Sequence, residues 1–333
     1  MANERIGLRS AATLAPMKRQ VMGAVDVVAC LALSATAVLL RVPVMGLGDF
    51  GSYSAAAHRA FAGEPVYTVA QLVGPYTLNS LFGGRGFVYP PTAVPMLAWA
   101  TFGEPAGLAF MVLAFAALTY VTVTIVRRGL RSLPLAGWLV ALLLLVSPFA
   151  TDAIYAGQVT PLIAAGYGVA WLWPRAAPWM AVAGGGLKVF PSSLMVFALR
   201  KGVPIAPALA SGAALVLATT LWLGLGAWTD FVRAWANARP LCGTPSLGSL
   251  TCAFGPAGAA AGLAAAVGIV VLSLFVKSDA LSMFAIGVAS VIAAPDLYPN
   301  YGLILAVAAL PMLCAAWRRL VEGRRFEPVG RAN

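Results

Sequence analysis

Asp49 stands in Arg41-Val-Pro-Val-Met-Gly-Leu-Gly-Asp-Phe50, just after the first long apolar segment ends. In a chain with only 11 Asp and Glu among 333 residues, a carboxylate at that boundary is a candidate general base. Lys188 lies inside the apolar segment 178–199. An ammonium there must pair, reach the interface from a broken helix before Pro191, or serve as counter-charge to a phosphate. Gln158, in Tyr155-Ala-Gly-Gln-Val-Thr160, is placed either to orient a hydroxyl or simply to start a helix.

Other chemistries have no residues to carry them. There is one histidine, His58, and no cluster of His, Cys, Asp or Glu at zinc-ligand spacing. No Ser-His-Asp arrangement is present, and no metal or other cofactor is called for. Gly46-Leu-Gly48-Asp-Phe-Gly51 matches the letters of a dinucleotide-binding turn but follows an apolar segment rather than a strand. Gly184-Gly-Gly-Leu-Lys188 lacks phosphate-loop spacing, and its glycines suit close helix approach.

The elements that must position these residues are membrane helices. The chain is 61% hydrophobic and 10% charged, against about 25% charged in ordinary soluble domains. Apolar runs of the length needed to span a bilayer predict about ten crossings, near 22–42, 90–103, 105–126, 133–150, 159–173, 178–199, 203–225, 253–276, 279–295 and 301–317. The expectation is one all-α transmembrane domain over 1–333. It has a cytoplasmic tail at 1–21, external loops at 43–89 and 226–252, and a basic cytoplasmic tail at 318–333. The net charge of +11 fits cytoplasmic loops enriched in Lys and Arg, and no nucleic-acid signature accompanies it. The order puts Arg200-Lys201, Lys277 and Arg318-Arg319 inside, but leaves Arg127, Arg128 and Arg131 outside. Either 90–103 is re-entrant or those arginines act at the outer face.

The external loops carry their own patterns. Residues 52–62 are alanine-rich and helix-prone. Trp228, Phe231, Val232 and Trp235 fall on one face of a helix over 227–238, as in an interfacial amphipathic helix. The apolar loop 66–83, broken at Gly74-Pro75, is a candidate lid. Cys242 and Cys252 flank the second loop and are a candidate disulfide pair if that loop faces an oxidising compartment.

Several short motifs recur in a fixed order: Asp49, Tyr53 and the Ala run, Phe61-Ala-Gly-Glu-Pro-Val-Tyr67, Phe87-Val-Tyr-Pro-Pro91, Ser147-Pro148 with Ala156-Gly-Gln158, Gly186-Leu-Lys-Val-Phe-Pro191 and Leu199-Arg-Lys201. Over roughly residues 45–205 this order resembles glycosyltransferase family 87 of the GT-C superfamily, the polyprenol-phosphate-mannose-dependent mannosyltransferases. The resemblance implies a GT-C fold in the bacterial cytoplasmic membrane, with the active site facing the periplasm. It implies a polyprenyl-phosphate-linked sugar donor, a lipid or glycan acceptor, and Asp49 as the base. In Ala294-Pro-Asp-Leu-Tyr-Pro-Asn-Tyr301, Asn300 stands where the family carries histidine.

Inverting sugar transfer also needs positive charge for the leaving phosphate, for which His58, Arg59, Arg85, Lys188 and Arg239 are candidates. Tyr53, Tyr89, Tyr298 and Tyr301 are candidates to stack on sugars, although interfacial tyrosine is common in membrane proteins. The competing class is a transporter or flippase for a lipid or small solute. That class calls for inverted repeats and broken helices meeting at midplane charges.

Overall fold

The computed structural model describes residues 23–42, 47–77, 86–239, 250–294 and 298–321. Among them the chain is all-α, apart from one parallel ladder that pairs Tyr76–Thr77 (β1) with Ala238–Arg239 (β2). Glu104–Gly129, Ala206–Leu223, Cys252–Phe275 and Pro299–Val321 are each long and apolar enough to cross a membrane. The bent pair Ala136–Val146 and Pro148–Ala156 makes a fifth candidate.

Side-chain contacts fix the direction of every helix between two ends of the bundle. Helix α1 (Ala24–Leu39) runs antiparallel to α5 (Glu104–Gly129). Asp26 pairs with Arg127 at 2.9 Å, and Ser34 meets Thr119 halfway along. Gly107, at the other end of α5, lies against Leu47 and Phe50, at the start of α2 (Gly48–Phe61). One end is therefore marked by Arg127 and the other by Asp49.

From the arginine end, α6 (Ala136–Val146) and α7 (Pro148–Ala156) run to the carboxylate end as one pass bent by 53°. Pro148 at the break supplies no N–H, and the Ser147 hydroxyl accepts from the Ala150 N–H to restart the helix. Helix α8 (Thr160–Leu172) returns, and Trp173 just beyond it lies under Arg128. Further on, α11 (Ala206–Leu223) runs out to Trp222, which packs on Phe61. Helix α13 (Leu250–Phe275) runs back until Arg200 caps the carbonyls of Ser273 and Leu274. Asp279, bound by Arg200 and Lys201, starts α14 (Asp279–Ile292) toward the carboxylate end. The last helix, α15 (Gly302–Val321), returns to lay Cys314 against Gly129.

Two expected crossings do not traverse. Segment 90–103 is a single helical turn, α4 (Ala93–Met96), followed by a 3-10 turn at Ala98–Phe102, and both stay at the carboxylate end. Pro90, Pro91 and Pro95 deny it the backbone donors of a continuous helix. Segment 178–199 is a hairpin. Its first arm, α9 (Ala177–Leu187), climbs to an extended Lys188 (φ −142°, ψ 127°). A 3-10 turn at Phe190–Ser193 reverses the chain, and α10 (Leu194–Arg200) descends until Phe197 packs on Trp171. The glycine run permits the fold-back, since a Cβ on Gly184 would sit 2.7 Å from Pro191. Removing both crossings leaves eight passes among the described residues and resolves the misplaced charge. Arg127, Arg128 and Arg131 join Arg200, Lys201 and Lys277, while the described parts of 43–89 and 226–252 remain at the opposite end.

The first external segment begins as α2, whose buried residues Asp49, Ser52, Tyr53, Ala56 and Ala60 follow a helical stripe. Beyond it, α3 (Val69–Val73) packs on α12 (Gly226–Asn237), where Asn237 donates to the carbonyls of Gln71 and Leu72. The apolar stripe of α12 is split between protein and surroundings. Phe231 packs on Tyr67 and Trp228 donates to Thr220, whereas Val232 stays exposed.

Cysteine introduced at Arg131 should react with a membrane-impermeant maleimide from the same side as cysteine at Lys277. Cysteine at His58 should react from the other side. Labelling of the Arg131 variant from the His58 side would overturn the eight-pass arrangement.

Candidate functional site

Three helices stop short at the carboxylate end: α8 begins only at Thr160, α9 ends at Leu187 and α14 ends at Ile292. The volume they leave holds the polar residues. Asp49 lies in the first turn of α2, where the unpaired N–H groups of a helix start favour negative charge. It is 5% exposed, and Lys188, at the tip of the hairpin, is 9% exposed. The lysine therefore turns inward instead of reaching for the interface.

Gln158 joins the two. Its Nε2 donates to Asp49 Oδ2, while its Oε1 accepts from Lys188 Nζ at 2.9 Å and from the Tyr89 hydroxyl at 3.0 Å. The reverse amide orientation would set oxygen against carboxylate and NH2 against ammonium, so the charges select this one. Tyr89 spends its proton on Gln158, so at 2.6 Å the Tyr53 hydroxyl must be the donor to Tyr89. Tyr67 braces the same segment by donating to the Tyr89 carbonyl at 2.7 Å. Burial pushes the Tyr67 phenol well above its ordinary pKa, which keeps it a hydroxyl donor.

Lys188 has two further neutral acceptors, the Tyr301 hydroxyl at 3.3 Å and Thr160 Oγ1 at 3.4 Å. Its ammonium also sits 4.7 Å from the Tyr301 ring centroid. Gly157 makes this assembly possible. Its φ of +64° turns the chain from α7 into Gln158, and a Cβ there would press within 3.2 Å of Phe50 and 3.3 Å of Leu47. The glycine thus brings the Gln158 strand against the segment that carries Asp49.

Asp49, Gln158, Lys188, Tyr89, Tyr298 and Tyr301 share the wall of one cavity of about 940 Å³. Much of the remaining wall is apolar, including a stripe of α13 from Pro256 through Leu263 and Val267 to Val271, and Phe231 and Trp235 of α12. At 1.5 Å per residue, that stripe runs for about 22 Å. The cavity is amphiphilic: two charges at one end, and an apolar trough most of a helix long.

Not every expected residue is there. His58 lies nine residues after Asp49, half a turn round α2, and is exposed on the opposite face. Arg59 is spent on the Val66 carbonyl, at 2.7 and 3.1 Å, and fastens the loop after α2. Tyr53 and Asn300 are buried behind the cavity wall and do not line it. Arg85 and Cys242 fall outside the described residues, as does the side chain of Arg239, whose backbone pairs in register with Thr77. Cys252 is disulfide-bonded, while Cys30 and Cys314 are free.

The structure adds residues that the sequence reading passed over. Ser52 lines the cavity and donates to the Asp49 carbonyl. Thr160 and Asp152 bind the buried Asn300. Asp152 carried a usable signal, an acid directly after an apolar run of the 133–150 segment. A second hydroxyl cluster, Tyr167, Ser193 and Ser290, ties α8, the hairpin and α14 together. Among the described residues no group of His, Cys, Asp and Glu is arranged to hold a metal ion.

Gly157→Ala should lower stability by about 1–2 kcal/mol from backbone strain alone. Gly48→Ala, whose Cβ would meet nothing closer than 3.9 Å, serves as the control. Thermal unfolding in detergent measures both, and equal midpoints would remove the role assigned to Gly157.

No family model, curated protein or solved structure matches this chain, which leaves the geometry of the cavity to speak for its chemistry.

Proposed function

We propose that the chain is a membrane-embedded inverting glycosyltransferase. It moves a sugar, mannose first among the choices, from a polyprenyl-phosphate donor to a lipid or glycan acceptor. The observation that carries this reading is the pairing of a buried carboxylate and ammonium with an apolar trough in one cavity. A donor with a phosphate head and a hydrocarbon tail matches that division. The order of motifs resembling glycosyltransferase family 87, and the GT-C fold it implies, supports the same reading.

The chemistry assigned to the residues is a single displacement. Asp49 accepts the proton of the acceptor hydroxyl as that oxygen bonds to the anomeric carbon. The bond from that carbon to the phosphate oxygen breaks, and polyprenyl phosphate leaves with the electron pair. Lys188 meets the negative charge of the departing phosphate, with the Tyr301 hydroxyl beside it. Gln158 keeps acid and ammonium apart by one amide, so that neither is consumed by the other. The rings of Tyr89, Tyr298 and Tyr301 offer faces to the sugar.

Orientation follows from charge. The end marked by Arg127 also carries Arg128, Arg131, Arg175, Arg200, Lys201 and Lys277. By the positive-inside rule that end is cytoplasmic, and the carboxylate end opens toward the outside of the bacterial cytoplasmic membrane. Counting the eight passes as membrane crossings puts Ala24 and Val321 on the same, cytoplasmic side.

The test is transfer of labelled sugar from polyprenyl-phosphate-mannose to lipid acceptors in proteoliposomes. Asp49→Asn should lose about 10²–10⁴-fold in kcat while remaining folded. A wild type that transfers no sugar from any polyprenyl phosphate, yet moves a labelled lipid between leaflets, would favour the transporter instead.

A further inference from the structure

Two of the three hydrogen-bond acceptors of Lys188 depend on one carboxylate that does not line the cavity. Asp152, on α7, accepts at Oδ2 from Asn300 Nδ2 at 2.6 Å and from the Asn300 backbone N–H at 3.1 Å. These bonds set the Asn300 amide with its oxygen turned away, and that oxygen accepts the Thr160 hydroxyl at 3.0 Å. The single Thr160 proton is thereby used, and a lone pair is what Thr160 offers to Lys188 Nζ. The backbone bond from Asn300 also pins the 3-10 turn Pro299–Tyr301, whose last residue supplies the Tyr301 hydroxyl to the same ammonium.

We infer that Asp152 is the positioning residue for Lys188, acting through Asn300 and Thr160 to hold the ammonium toward an anionic phosphate group in the cavity. The assignment of that ligand rests on the function proposed above. The chain of bonds is directional at every step, so each link can be cut by itself. Asp152→Asn keeps an amide oxygen able to accept both N–H groups of Asn300, whereas Asp152→Ala removes the acceptor. Thr160→Val preserves shape and removes only the hydroxyl between Asn300 and Lys188.

The experiment measures binding of polyprenyl phosphate, with no sugar attached, to the full chain in detergent by native mass spectrometry. Asp152→Ala should weaken binding about tenfold, which corresponds to about 1.4 kcal/mol, with Asp152→Asn close to wild type. The double variant Asp152→Ala/Lys188→Ala should bind no more weakly than Lys188→Ala alone, because the first residue acts only through the second. Unchanged binding in a folded Asp152→Ala, or additive losses in the double variant, would overturn the assignment. Should Asp152→Ala not fold, Thr160→Val decides: a similar loss supports the assignment and unchanged binding overturns it. Lys188-dependent binding without sugar transfer would sink the transferase reading and leave the positioning role standing. Binding that ignores Lys188 would remove both.

Discussion

The amide of Gln158 is the constraint on which the site depends. It touches both buried charges, and its two ends are chemically unlike. The oxygen can serve only donors and the nitrogen only acceptors. Fixing Tyr89 and Lys188 on the oxygen therefore fixes the carboxylate on the nitrogen. Everything around it serves that placement. Gly157 turns the chain into it, Tyr53 and Tyr89 orient one side, and the hairpin delivers Lys188 to the other. A carboxylate and an ammonium in direct contact would neutralise each other; the amide between them holds the two apart.

Holding charge out of water costs several kcal/mol per ion, so the bundle must compensate locally. It does so by ending helices early. The first turn of α2 sets Asp49 at the positive end of the helix dipole, and the gap where α8, α9 and α14 stop admits hydroxyls and amides in place of methyl groups. Irregular backbone at this depth is tolerated because it is enclosed by protein or lines a cavity. The extended Lys188 and the 3-10 turns on either side of the site are thus the same feature seen twice: where helices break, polar groups can be satisfied.

The sequence made some of this readable and concealed the rest for identifiable reasons. Asp49, Gln158 and Lys188 each stand out as a polar residue beside apolar segments, and all three line the cavity. Helical character was legible from hydropathy, and so was the amphipathic run at 227–238. Hydropathy counts apolar residues without asking where a helix goes, however, so it scored the re-entrant 90–103 and the hairpin 178–199 as crossings. Pro90, Pro91, Pro191 and the misplaced arginines were the contrary signals, and they agree only when both segments are removed together. His58 could have been set aside by counting, since nine residues of helix carry it to the far side from Asp49. Asp152 stood out as an acid after an apolar run, but its role was hidden because its partner Asn300 lies 148 residues further on and is close only after folding.

Asn300 bears on what kind of acid-base site this is. Asn300 is a neutral amide, wrapped by Asp152 and Thr160 and buried behind the wall. An amide gives directional hydrogen bonds and holds no exchangeable charge at ordinary pH, so it can orient a neighbour but cannot take or give a proton. Among the described residues of the wall, tyrosines aside, that leaves Asp49 as the carboxylate and Lys188 as the cation. A single carboxylate is sufficient for a displacement whose leaving group is a phosphate. In the proposed transfer the departing oxygen would need charge neutralisation from Lys188 and no proton from a general acid. An asparagine at position 300 therefore fits the proposed transfer, in which proton transfer would occur on the acceptor side alone.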